Sequence, residues 1–136
     1  MLDGRERADT LKEFARVLKN DGILSIIKHN KYGRIFDKIV FDNNLDEALA
    51  LLDGETSSSK NFGTIDYYDV KDLTEYFEIE KILGVRTFFG LPPNEIKFDE
   101  EWQEKIFQIE MKAADIEVYK NAAFFHHVIL RNTKNR

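Results

Sequence analysis

The sequence predicts an α/β fold, and three observations carry that expectation. Leu11, Phe14, Ala15 and Leu18 fall at i, i+3, i+4 and i+7, one face of a helix. The chain then breaks at Asn20-Asp21-Gly22 and enters a short, β-rich, apolar run, Ile23 to Ile27. Two further β-rich stretches, residues 78–89 (EIEKILGVRTFF) and 122–131 (AAFFHHVILR), flank a long helical pattern. Helix, turn and buried strand in direct succession argue for α/β rather than all-α.

Each element has its own warrant. Asp9 or Thr10 is a candidate cap for the first helix, with Glu13 completing a capping-box pattern after Thr10. Asn20, Asp21 and Gly22 stop it, because the left-handed conformation needed there suits Gly and Asn. The strand that follows is apolar on both faces, which predicts cover on two sides, as in a parallel sheet. Ile35, Phe36, Ile39 and Val40 predict the apolar face of one short helix, and Leu45, Leu49 and Leu52 that of a second. Residues 53–62 (DGETSSSKNF) are polar and aperiodic and read as a mobile loop. Asp69 caps a short helix to about residue 77. In the second strand, Gly84 marks a bulge or bend. After the breaker Leu91-Pro92-Pro93-Asn94, Trp102, Ile106, Ile109, Ala113 and Ile116 predict one helix over residues 99–119. The last five residues are polar and expected to fray.

A chain of 136 residues, 43% hydrophobic and 33% charged, fits one domain with a real core. It has no run long and apolar enough for a membrane span, and its charged start excludes a signal peptide. Without cysteine it has no disulfide framework, no zinc-thiolate site and no thiol nucleophile. These features fit a cytoplasmic location. The net charge of -5 opposes non-specific nucleic-acid binding. Locally the balance reverses: residues 28–34 (KHNKYGR) hold three cationic side chains and a histidine, with no acid before Asp37. A solvated loop is the plain reading of that run. His126 and His127 are neighbours on a predicted strand and point to opposite faces, so no shared metal is expected. No Ser-His-Asp arrangement follows from spacing.

Residues 17–30 (VLKNDGILSIIKHN) resemble the segment around the fifth strand of class I S-adenosylmethionine-dependent methyltransferases, where a helix runs through a "vLkpGG.l" turn into an apolar strand. Here Asn20-Asp21 stands where Pro-Gly is more usual. Asn30 after the strand, Gly84-Val85-Arg86 with Thr87-Phe88, and the terminal AFFHHVILRN strand are similar to the bacterial enzymes that esterify 5-carboxymethoxyuridine in tRNA. The resemblance spans about residues 11–132. It implies the C-terminal half of a Rossmann-like methyltransferase fold, with strands equivalent to five, six and seven plus flanking helices. On this reading the first half is missing and residues 1–136 are a single partial domain. The departure supports it: no two of the seven glycines are spaced G-x-G, so the turn that brings backbone to the methyl donor is absent.

What the resemblance implies for function follows from that. S-adenosylmethionine would serve the complete enzyme and not bind this chain tightly, and the chain alone is expected to be inactive. The acceptor would be a carboxylate on a modified tRNA uridine, already ionised at neutral pH. No general base is then needed, so no catalytic residue is assigned, and alignment and desolvation would do the work. Arg86 is the candidate for the substrate carboxylate, with an ordinary ion pair as its competitor. Tyr67 and Tyr68 are candidates for stacking on a base, Lys31 and Arg34 for phosphates, and Asn30 for substrate contact. The alternatives are a small-molecule methyltransferase fragment or a non-enzymatic interaction module. With strand four absent, the edge of the first strand is expected to be exposed, so a homodimer or other self-association is expected.

Overall fold

The computed structural model describes residues 4–54, 57–59, 63–65 and 68–133. Helix α1 (Gly4–Val17) turns into strand β1 (Ile23–His29), followed by helices α2 (Lys31–Val40) and α3 (Leu45–Leu52). A small hairpin pairs β2 (Ser57–Ser59) with β3 (Gly63–Ile65), inside and just after the stretch expected to be an aperiodic loop. Residues 55, 56 and 60–62 of that stretch lie outside the described residues. A 3-10 turn, Val70–Leu73, leads into β4 (Phe77–Val85), and a second, Asn94–Ile96, follows that strand. Then come α4 (Glu100–Ala113), α5 (Glu117–Ala122) and β5 (Phe125–Asn132).

The main sheet is β1-β5-β4, with β5 antiparallel to both neighbours. The fold is therefore mixed α/β, but its pairings are antiparallel. One face carries the core. Leu24 and Ile26 of β1 stand beside Leu130 and Val128 of β5, which stand beside Ile79 and Ile82 of β4. Leu11 and Ala15 of α1 pack onto this face with Leu73 and Phe77. On the other face α4 lines a cavity together with residues of β4 and His127 of β5. Ile23 and Ile27 of β1 are 50% and 57% exposed, so the predicted two-sided cover of that strand does not form.

Several boundaries differ from expectation for identifiable reasons. Neither Asp9 nor Thr10 caps α1, which begins at Gly4; the Thr10 hydroxyl donates to the Glu6 carbonyl inside the helix. At the end of α1 the left-handed residue is Asp21 (φ 63°), while Gly22 is needed because a Cβ there would sit 2.9 Å from the Lys19 carbonyl. The irregularity of β4 falls at Glu80, between Ile79 and Lys81, not at Gly84. Gly84 instead makes room for α5, its absent Cβ lying 3.1 Å from the Lys120 Cα. The helix predicted over 99–119 is two helices. The Gly84 N–H donates to the Ala114 carbonyl at 2.8 Å, drawing that carbonyl from the helical ladder, and the chain restarts as α5 after Ile116.

The α2–α3 pair buries Ile35, Ala48 and Leu51. The predicted faces point elsewhere: Phe36, Ile39 and Val40 are about half exposed, and Leu45, Leu49 and Leu52 more so. What turns α2 is Gly33, whose absent Cβ would lie 2.0 Å from the Ala123 carbonyl. Only glycine permits that approach, and it fixes which side of α2 faces the body. Lys38, buried at its far end, pairs with Asp42 and Glu47 at 3.2 Å each and ties α2 to α3.

Candidate functional site

Two concave surfaces hold most of the predicted site residues that the structure describes. The first is a cup of about 330 Å³ at the C-terminal end of β1, where the strand hands over to α2. Lys28 and His126 are opposite one another in the β1–β5 register and both reach it from the core face. His29, Lys31, Tyr68 and Asp69 complete most of the lining. The Lys28 ammonium lies 5.0 Å from the Tyr68 ring centroid and the Arg7 guanidinium 3.9 Å from it. Arg7 also pairs with Asp72 at 3.6 Å.

Electrostatics in the cup follow from burial among cations. Lys28 is held below its ordinary value by burial, an effect that Asp69 opposes. His29 is lowered by burial, then by Arg34 and Lys28. His126 is lowered by burial, which outweighs its hydrogen bond to the Lys120 carbonyl at 2.9 Å. Both imidazoles are therefore biased toward the neutral form.

The second surface is a cavity of about 750 Å³ between α4 and the other face of the sheet. Leu83 and Val85 of β4 form its floor, Ile106, Phe107 and Met111 of α4 its wall, and Arg86 stands in its lining. Arg86 has φ 59°, a left-handed conformation uncommon for this residue type. Glu110 holds the turn: its carboxylate accepts the N–H groups of Thr87 at 2.8 Å and Phe88 at 2.6 Å. The Arg86 guanidinium lies 5.5 Å from the Phe89 ring centroid and makes no ion pair among the described residues. Asp115, at the cavity's edge, is lowered by hydrogen bonds from Lys81 and then Lys120.

The predicted site residues divide between these places. Asn30, Lys31 and Tyr68 meet in the cup. Asn30 is buried there, and its side-chain amide donates to the carbonyls of Asn121 at 2.9 Å and Ala123 at 2.7 Å, tying β1 to the α5–β5 corner. Arg86 lines the other cavity, which shares no residue with the cup. Arg34 turns to Asp37 at 2.9 Å and lines neither. Tyr67 lies outside the described residues. His126 and His127 do face opposite ways, His126 into the cup and His127 toward the second cavity, where it bonds Ser25.

Sequence reasoning missed the part His126 plays in the cup and the part Glu110 plays at the Arg86 turn. Strand parity could have found the first, since one of the two histidines had to share a face with Lys28. Nothing local signals the second, because Glu110 meets its partners across more than twenty residues. Neither a protein-family model nor a curated protein matches this chain.

Proposed function

We propose that these residues form the acceptor-side half of a class I S-adenosylmethionine-dependent methyltransferase, acting on a carboxylate of a modified tRNA uridine once a donor-binding half completes it. The strand order carries this reading. In the resemblance, β1, β4 and β5 correspond to strands five, six and seven, and strand seven of that sheet enters reversed between the other two. The order β1-β5-β4 with β5 antiparallel fits that assignment. Among the described residues, β1 has a partner on one edge only, which leaves its other edge for strand four.

The exposed apolar surface supports the same reading. Ile23 and Ile27 on β1, with Phe107 and Met111 on α4, are exposed where a completed fold would cover them.

The residues present do not form a cradle for the methyl donor. The junction leaving the C-terminal end of β1 is Asn30-Lys31, without a glycine turn, and the nearby Gly33 is packed against Ala123. No step is therefore assigned to the donor on this chain. Its own contribution would be the cup and Arg86, which stand at different edges of the sheet.

Isothermal calorimetry of the chain with S-adenosylmethionine tests the half-site reading. No binding is expected at micromolar concentrations, and micromolar affinity in this chain alone would sink the proposal. The genomic sequence upstream of Met1 gives a second check: an in-frame strand followed by a glycine-rich turn is the expected complement.

A further inference from the structure

We propose that the cup at the C-terminal end of β1 is a phosphate-binding site. This inference stands on the geometry of the cup and does not need the methyl-transfer reading. The cavity of about 330 Å³ is large enough for a tetrahedral anion with part of what it is attached to.

Its lining is selective by charge and by donor count. Lys28 and Lys31 bring two ammonium groups; neither makes an ion pair among the described residues, and Lys28 donates to the His29 carbonyl at 3.4 Å. Asp69 is the one acid in the lining, and one of its oxygens accepts the Lys71 N–H at 3.0 Å. Arg7, beside Tyr68, is matched by Asp72. The balance of the lining is thus cationic, in a protein whose net charge is -5. The Nε2–H of His126 already donates to the Lys120 carbonyl, so that ring can donate to an anion only when protonated, a form that an anion beside His126 and His29 would favour.

The backbone adds to this. Helix α2 starts at the cup, and its first residues, Lys31 and Tyr32, are in the lining. Its N-cap, Asn30, makes no side-chain capping bond, because its amide is committed to the carbonyls of Asn121 and Ala123. The first turn of α2 contains no acidic residue. The partial positive charge of the helix start is left without a side-chain counterpart, beside two lysines.

The three histidines provide both reporters and a control. In proton–carbon correlation NMR of the full chain, titration with inorganic phosphate should shift the ring signals of His126 and His29 saturably. His127, on the opposite sheet face, should stay in place. Lys31→Ala should weaken binding about tenfold, the loss of one charge-assisted contact. Lys105→Ala, which removes the same charge from exposed α4, should leave the affinity unchanged. Amide spectra of Lys31→Ala that match the parent away from the cup show that the variant is folded. A shift that rises linearly with phosphate, equal movement of His127, or equal weakening by Lys105→Ala would each overturn the site. A short oligouridylate without a terminal phosphate separates the sources. The same histidine pattern assigns the cup to a nucleic-acid backbone, and a response to phosphate alone assigns it to a free or terminal phosphate.

Discussion

Asn132 does more for this fold than its place at the start of the polar tail suggests. Its side chain is fully buried and donates to the carbonyls of Ala15, Leu18 and Lys19, closing the end of α1. Thr133 is held as well, its hydroxyl donating to the Tyr76 carbonyl at 2.9 Å. The expected fraying therefore does not include these two residues, while residues 134–136 lie outside the described set. Asn132→Ala would leave buried carbonyls unpaired and should lower stability by about 2–3 kcal/mol, read by urea unfolding. The cup's histidines set a pH dependence of definite sign. His29 and His126 are both held below the ordinary 6.5 in the folded chain. As pH falls below that value the unfolded chain takes up protons that the folded chain refuses, so stability is full above it and declines until the folded values are passed. The thermal midpoint should drop between about pH 7.5 and pH 5.5, and His126→Gln should flatten the decline.

Among the elements, the turn after β4 is the most revealing. Arg86 takes the left-handed conformation without being Gly, Asn or Asp, and Glu110 of α4 stabilises the two N–H groups that follow it. Arg86→Gly should raise stability by about 1 kcal/mol, since glycine adopts that φ without a Cβ penalty. If the guanidinium serves a ligand, the same variant will be more stable and less functional, which separates the two roles. Elements whose signals are local were legible in the sequence: the break at Asn20-Asp21-Gly22, the apolar run of β1, the cap at Asp69, and β5. Elements set by distant contacts were not. The break between α4 and α5 depends on the Gly84–Ala114 bond, and the orientation of α2 on Gly33 against Ala123. Periodicity counted Leu45, Leu49 and Leu52 as a buried face, but it cannot tell whether the surface they need is present. The candidate site was legible at Lys28 to Lys31, where charge is clustered in sequence, and illegible where His126 and Arg7 arrive from other elements.

At the scale of the molecule, the open edge of β1 and the bare apolar face beside it act together. Ile23 and Ile27 are exposed on the strand whose outer edge has no partner among the described residues. Such an edge invites pairing with another strand. The chain should therefore self-associate, two copies meeting through β1, and light scattering at rising concentration should report a mass above 16.0 kDa. Ile27→Lys places a charge on that strand and should return the chain to monomer with little change in its thermal midpoint. A strictly monomeric parent at high concentration would count against pairing through this edge.

The central place of β5 also has a kinetic consequence. Both neighbours of the middle strand precede it in the chain, and the Ser25–His127 contact closes a separation of 102 residues. Until β5 is available, β1 and β4 have no hydrogen-bonded neighbour in the main sheet, however well α1 and α4 have formed. Contacts of such long range slow folding, because the entropy of closing the loop is lost before the sheet repays it. The helices should form first and the sheet last, in one late cooperative step nucleated by the strand that is synthesised after its partners.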